Sequence, residues 1–110
     1  MPSSGPAPLP TEVHCLLAER PIRIYPVGEL DLACKDQLDA AIAMVVSGPA
    51  ADVVVDLSAT TFLDSTGLGF LVRLSRRIAA GGHALTVSSP TRPALRALEL
   101  AGLDRVLHIS

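Results

Sequence analysis

The 110 residues carry nine Lys and Arg against eleven Asp and Glu, and this net charge of -2 offers no electrostatic basis for binding nucleic acid or an anionic membrane. Hydrophobic residues make up 49% and aromatic residues 3%, which excludes disorder for most of the chain and demands a core of Leu, Val, Ile and Ala. A chain of this size forms a single domain that buries roughly two thirds of its unfolded surface.

Residues 1–11, "MPSSGPAPLPT", have four prolines in the first ten positions and nothing to bury, which predicts a tail followed by one domain over 12–110. The segment has no basic residue and no apolar run, so no signal peptide is expected. The longest apolar run, "AAIAMVV" (40–46), is far short of the roughly 20 residues that span a bilayer. The reading is a soluble, cytoplasmic protein without membrane insertion. "VHCLLA" (13–18) and "IRIYPV" (22–27), parted by Glu19, Arg20 and Pro21, predict a hairpin. Pro26 has no N–H, so it disturbs one side of the second strand or leaves that side at an edge.

From Asp31 the period becomes helical: Cys34, Leu38, Ala41, Ile42 and Val45 repeat, with Asp31 as N-cap and "SGP" (47–49) as the stop. "DVVVDLS" (52–58) reads as a central strand covered on both faces. It leads through "ATTFLD" to a second helix with Leu68, Leu71, Leu74 and Ile78 inward, ended by Gly81 and Gly82. "HALTVSS" (83–89) is a further strand. "SPTRPALRALELAG" is a third helix, capped by Ser89 or Thr91, with Pro90 and Pro93 in its first turn and Gly102 as terminator. "RVLHI" (105–109) closes the chain as a weaker strand. Strands alternating with helices after the hairpin favour parallel pairing, hence an α/β fold with a mixed sheet of about four to five strands and helices packed on it.

The segment with the most chemistry is "FLDSTGLGFL" (62–71). A nucleophile elbow requires G-x-S-x-G, and Leu63 stands where its first glycine belongs. A P-loop fails too: "DSTGLG" has no GK[ST] ending, and Lys35 is the only lysine. Cys15, Cys34, His14, His83 and His108 are scattered and form no metal-ligand spacing, so neither a metal nor a cofactor is expected. The two cysteines read as buried free thiols. One of Asp64, Ser65 and Thr66 must cap the helix, contributing about 1 kcal/mol, yet three such residues stand together. Gly67 and Gly69, in the first turns, each cost up to about 1 kcal/mol relative to alanine. Either helix packing or the close approach of a second molecule accounts for them. Thr66, Gly69, Arg73, Arg76 and Arg77 fall broadly on one outward face, which is either solvated or a docking surface.

"DSTGLG", the preceding "VVVDLS", the upstream "VGELD" (27–31) and the terminal "ALELAGLDRVL" resemble the anti-sigma factor antagonist family, whose fold is the STAS domain; the likeness covers about residues 13–109. The resemblance implies a regulator and not an enzyme. It implies phosphorylation of Ser65 by a partner that is both anti-sigma factor and GHKL-type serine kinase, with Asp31 bordering the same surface. The unphosphorylated form binds the kinase and frees a sigma factor; the phosphorylated form lets go. Asp31, Asp64, Thr66, Gly67, Gly69, Arg73, Arg76 and Arg77 are the expected partner-binding residues. Pro26 departs from the family's usual strand residue. The alternative is a STAS-like accessory subunit of a membrane transporter ATPase, without a phosphorylation cycle.

Overall fold

The computed structural model describes residues 11–110, so the tail expected over 1–11 lies, but for Thr11, outside the described residues. The expected hairpin forms: β1 (Glu12–Leu16) pairs antiparallel with β2 (Ile22–Leu30). β2 then runs parallel to β3 (Val53–Asp56), β3 to β5 (Leu85–Ser88), and β5 to β6 (His108–Ile109). β4 (Thr60–Leu63), within the "ATTFLD" stretch from which no strand was expected, pairs parallel with the far end of β2 and brings the sheet to six strands. The closing strand is only two residues long, because Leu103–Arg105 forms a 3-10 turn instead.

Pro26 stands where β2 changes partner. Residues 22–24 pair with β3 and residues 28–30 with β4. The N–H groups of Ile22 and Gly28 both point to that side, toward Asp52 O and Ala59 O, so the missing donor of Pro26 falls in the gap between the two ladders. A bulge between Gly28 and Glu29 completes the change, and Gly28 adopts φ +103°, which a side chain would resist. The Pro26 carbonyl accepts a 3.0 Å hydrogen bond from Thr60 Oγ1; Thr60 is the single fully buried polar residue among those described. Thr60→Val therefore strands that carbonyl and costs about 1–3 kcal/mol, to be read as a lower urea midpoint with an unchanged m-value.

Helix α1 (Lys35–Ser47) is entered through a 3-10 turn (Leu32–Cys34) capped by Asp31, whose side chain accepts from Ala33 N–H at 3.0 Å. Its inward residues Leu38, Ala41, Ile42 and Val45 are those of the helical repeat. Helix α2 (Ser65–Ala80) buries Leu71, Leu74 and Ile78 as expected, and Phe70 and Gly67 besides. Helix α3 (Arg92–Leu100) is capped by Thr91, which also donates to Thr60 O and so ties the helix to β4. Pro93 falls in its first turn, but Pro90 precedes the cap and lies outside the helix. Gly102, at φ +73°, ends it.

β3 is central, between β2 and β5, but it is buried on one face only: Val53 and Val55 join the core while Val54 is half-buried. The other face runs in register through Leu16, Arg23, Val54, Thr86 and His108, and none of these is buried. The run of valines reflects a β-branched preference in a strand interior more than two-sided coverage.

Candidate functional site

β2 and β4 end together, with Leu30 opposite Leu63, so the residues that follow them, Asp31 and Asp64, emerge side by side. Asp64 N–H donates to Leu30 O at 3.2 Å, which fixes the turn into α2. Of the three candidates, Asp64 is the cap: its Oδ1 accepts from Thr66 N–H at 2.7 Å and Gly67 N–H at 3.4 Å. Cys34 lies beneath. Its Sγ is 3.2 Å from Asp31 O, and burial pushes the thiol up, a backbone hydrogen bond at Asp31 draws it down, and the Asp31 and Asp64 carboxylates push it up again. The balance favours the protonated thiol, the less nucleophilic form. Cys15, also free, is pushed up by burial as well.

Ser65 is the first residue of α2 and is exposed, and its hydroxyl takes part in no hydrogen bond among the described residues. With Asp64 already serving the amides of Thr66 and Gly67, the helix start has no need of the serine. The neighbouring side chains are acidic: Asp64 precedes Ser65, Asp31 emerges beside Asp64, and both are partly exposed. An anion attached at Ser65 would meet these carboxylates and would find two first-turn amides already bonded.

The two glycines separate. Gly67 is buried, and a Cβ built on it would lie 2.7 Å from Leu63 Cδ2 and 2.9 Å from both Leu30 Cβ and Leu30 O. It is there so that α2 can sit against the ends of β2 and β4, and it offers no surface to a partner, contrary to its place among the expected contact residues. Gly69 has nothing within 4 Å of such a Cβ and keeps an open backbone on the surface, beside the partly exposed Thr66.

The arginines separate as well. Arg73 pairs with Asp39 on α1 at 2.9 Å, and Lys35 meets the same carboxylate at 2.7 Å. These cations hold the Asp39 carboxyl below its usual range, Lys35 first and Arg73 second. Arg76 borders a cleft between α2 and the Leu103–Leu107 segment. Arg77 follows Ser65 by 12 positions, about 18 Å along the helix, and lines a cavity at the other end of the molecule. Only Thr66 and Gly69 of the expected face share the first two turns with Ser65.

Sequence reasoning missed two residues here. Leu32, next to Asp31, is 70% exposed, and Phe62, opposite Glu29 at the end of β4, is 47% exposed. Large apolar side chains left in water at the ends of the two strands that lead to Ser65 are what a docking surface needs. The signal for Phe62 was hidden because β4 itself was unrecognised.

A mixed sheet carrying its helices on one face, with an exposed serine at a capped helix start, defines a small α/β domain. The chain belongs to the STAS domain family: the family described as "Mlab, STAS domain" matches residues 18–108. Among curated proteins it is similar to the anti-sigma-F factor antagonist RsfB of Mycobacterium tuberculosis, 34% identical over 84 residues that cover 74% of this chain and 66% of that one. The chain thus spans just under two thirds of that relative's length. A solved anti-sigma factor antagonist from Mycobacterium paratuberculosis superposes with a TM-score of 0.76 at 26% identity, covering 89% of this chain and 85% of that chain. The Bacillus cell fate determinant SpoIIAA, solved in its phosphorylated form, shares the fold with a TM-score of 0.69 at 20% identity, covering 90% of this chain and 91% of that one. Among the described residues no helix is long and apolar enough to cross a membrane.

Proposed function

We propose that this protein is an anti-sigma factor antagonist that binds an anti-sigma factor with GHKL-type serine kinase activity, frees a sigma factor in the cytoplasm, and is switched off by phosphorylation of Ser65. The observation that carries the reading is the uncommitted hydroxyl of Ser65, exposed at the start of a helix that Asp64 caps, with Leu32 and Phe62 exposed at the C-terminal ends of β2 and β4 from which that helix start emerges. The names of the relatives support the same class of regulator. In this scheme the protein is a substrate and a binding partner, not an enzyme. Asp31, Thr66 and Gly69 contribute to the docking surface, and Leu32 and Phe62 anchor it.

The test is capture followed by phosphosite mapping. The unmodified chain should retain a GHKL-type kinase, and incubation with that kinase and ATP should place phosphate on Ser65. Phosphate on Thr66 alone rejects the site; capture of a transporter ATPase with no phosphate on Ser65 supports the accessory-subunit reading instead. Leu32→Asp and Phe62→Asp should each weaken capture by about 30-fold, the effect of losing a buried anchor worth roughly 2 kcal/mol. Leu100→Asp, at an equally exposed leucine at the end of α3, should leave affinity unchanged in the same titration.

A further inference from the structure

β1 stands at the end of the sheet, with β2 on one side and no strand on the other among the described residues. The direction of its free backbone groups follows from β2. Ile22 N–H and Gly28 N–H donate to Asp52 O and Ala59 O, and Pro26 O accepts from Thr60, so the even-numbered residues from Ile22 to Gly28 face β3 and β4. Arg23, Tyr25 and Val27 therefore face β1. The hydrogen-bonded pairs of the hairpin are then Glu12 with Val27, His14 with Tyr25 and Leu16 with Arg23. The N–H and C=O groups of Val13 and Cys15, and by the same alternation those of Thr11, point away from the sheet.

Proteins blunt such an edge with proline, lysine, a bulge or a very short strand. β1 uses none of these: Glu12–Leu16 contains neither proline nor lysine and pairs with β2 without a register shift. The other edges are blunted, since β6 has two residues and the Thr60 carbonyl of β4 is taken by Thr91. On the open face of β1, Glu12 and His14 lie 3.0 Å apart with side chains 61% and 52% exposed. Val13 and Cys15 turn to the other face and pack against the core.

We propose that β1 is a self-association edge, on which two copies of this chain pair antiparallel about a two-fold axis at Val13. Val13 of each copy exchanges both N–H···O bonds with Val13 of the other, and Thr11 does so with Cys15, so the outward groups are matched and the two sheets become one. Glu12 then stands directly opposite His14 of the second copy, twice by symmetry, in the non-hydrogen-bonded pairs where side chains come closest. Each imidazole sits between two carboxylates, and when protonated it donates to both. The remaining groups around His14 are Tyr25, opposite it on β2, and diagonally Arg23, which Glu19 and Asp56 already hold. A slip of two residues, the smallest that keeps the outward groups matched, sets Glu12 against Glu12 in one direction and His14 against His14 in the other. The charge pattern of β1 is thus complementary to itself, which selects a second copy as the occupant and fixes the register.

Sedimentation equilibrium of the full chain at about pH 6, over roughly 10 μM to 1 mM, should show a monomer–dimer equilibrium, as a small interface gives, and weaker association at about pH 8. The amides of Val13 and Cys15 should exchange with solvent more slowly as concentration rises, while those of Glu12 and His14, already bonded to β2, should not change. Val13→Pro removes only an outward N–H and should leave a folded monomer across the range. At about pH 6, His14→Glu sets carboxylates opposite one another and should weaken association about 10-fold; adding Glu12→His exchanges the two groups and should restore it. A chain that stays monomeric at the highest concentration overturns the proposal, whether its Val13 and Cys15 amides exchange freely or are protected at every dilution by its own residues 1–10. So does a dimer in which those amides stay unprotected, or one whose doubly exchanged variant is no tighter than His14→Glu.

Discussion

Phosphorylated on Ser65, the protein should bind the proposed anti-sigma partner about a hundredfold or more weakly than the unmodified chain, while Ser65→Ala should bind it persistently. A phosphate adds about 1.5 to 2 negative charges, so the net charge of -2 moves to roughly -3.5 or -4. The amides of Thr66 and Gly67 already donate to Asp64, so two first-turn donors are committed, and the new charge sits next in sequence to Asp64, itself beside Asp31. Burying it against a partner costs several kcal/mol unless the partner offers a matching cation. The free protein is little affected, because Ser65 is exposed and supports no contact of the fold. Ser65→Asp should therefore weaken binding strongly while shifting stability by no more than about 0.5 kcal/mol, as an exposed substitution does. Calorimetric affinity beside a thermal melt separates the two effects. Equal affinities for the phosphorylated and unmodified chains would end the switch reading, and a large loss of melting temperature in Ser65→Asp would move the effect from interface to fold.

The second large effect concerns the glycines, which should respond in opposite directions. Gly67→Ala gains up to about 1 kcal/mol of helix propensity but drives a methyl to 2.7 Å from Leu63 Cδ2 and 2.9 Å from Leu30 O. Leu63 and Leu30 are both buried, and Leu30 O also accepts from Asp64 N–H, so moving it loosens the turn that presents Ser65. A net loss of about 1–3 kcal/mol is expected, as for overpacking at a tight site, or a fall in melting temperature of roughly 4–8 °C for each kcal/mol. Gly69→Ala meets nothing within 4 Å and should stabilise by up to about 1 kcal/mol. Urea unfolding of both variants decides the matter: if both are stabilised, the close packing of α2 on β2 and β4 is refuted. Against the captured kinase, Gly69→Ala also reports whether a partner needs that open backbone, since a methyl there would then reduce affinity without harming the fold.

Much of this was legible from local pattern. The hairpin, the 3.6-residue repeat of Leu38, Ala41, Ile42 and Val45 and the Gly102 stop each depend on neighbours within a few positions and appear where the pattern predicts them, whereas Asp31 caps the 3-10 turn before α1 and the helix itself begins after Cys34 without a side-chain cap. β4 escaped because four residues with a burial pattern of one buried, two exposed and one buried carry no alternation to detect. Its strand character comes from β2, which abandons β3 at Pro26 and needs a new partner. The three valines misled for a related reason: burial on the second face depends on what packs there, and nothing in the run itself records that.

The candidate site divides along the same line. The sequence by itself determined that a helix starts at 64–66 with a polar cap, that Ser65 belongs to no hydrolase or nucleotide-binding motif, and that glycine recurs after it, since these are properties of adjacent residues. Only the tertiary structure decided which carboxylate caps, that Gly67 serves packing while Gly69 stays open, and that Arg73 is tied to Asp39 while Arg77 lies at the far pole. It also decided that Leu32 and Phe62 stand exposed at the ends of β2 and β4. The reason is physical: a helical period assigns a residue its direction around one axis, but whether that direction meets solvent, a leucine or a carboxylate depends on segments distant in the chain, and those arrive only when the sheet closes over its core.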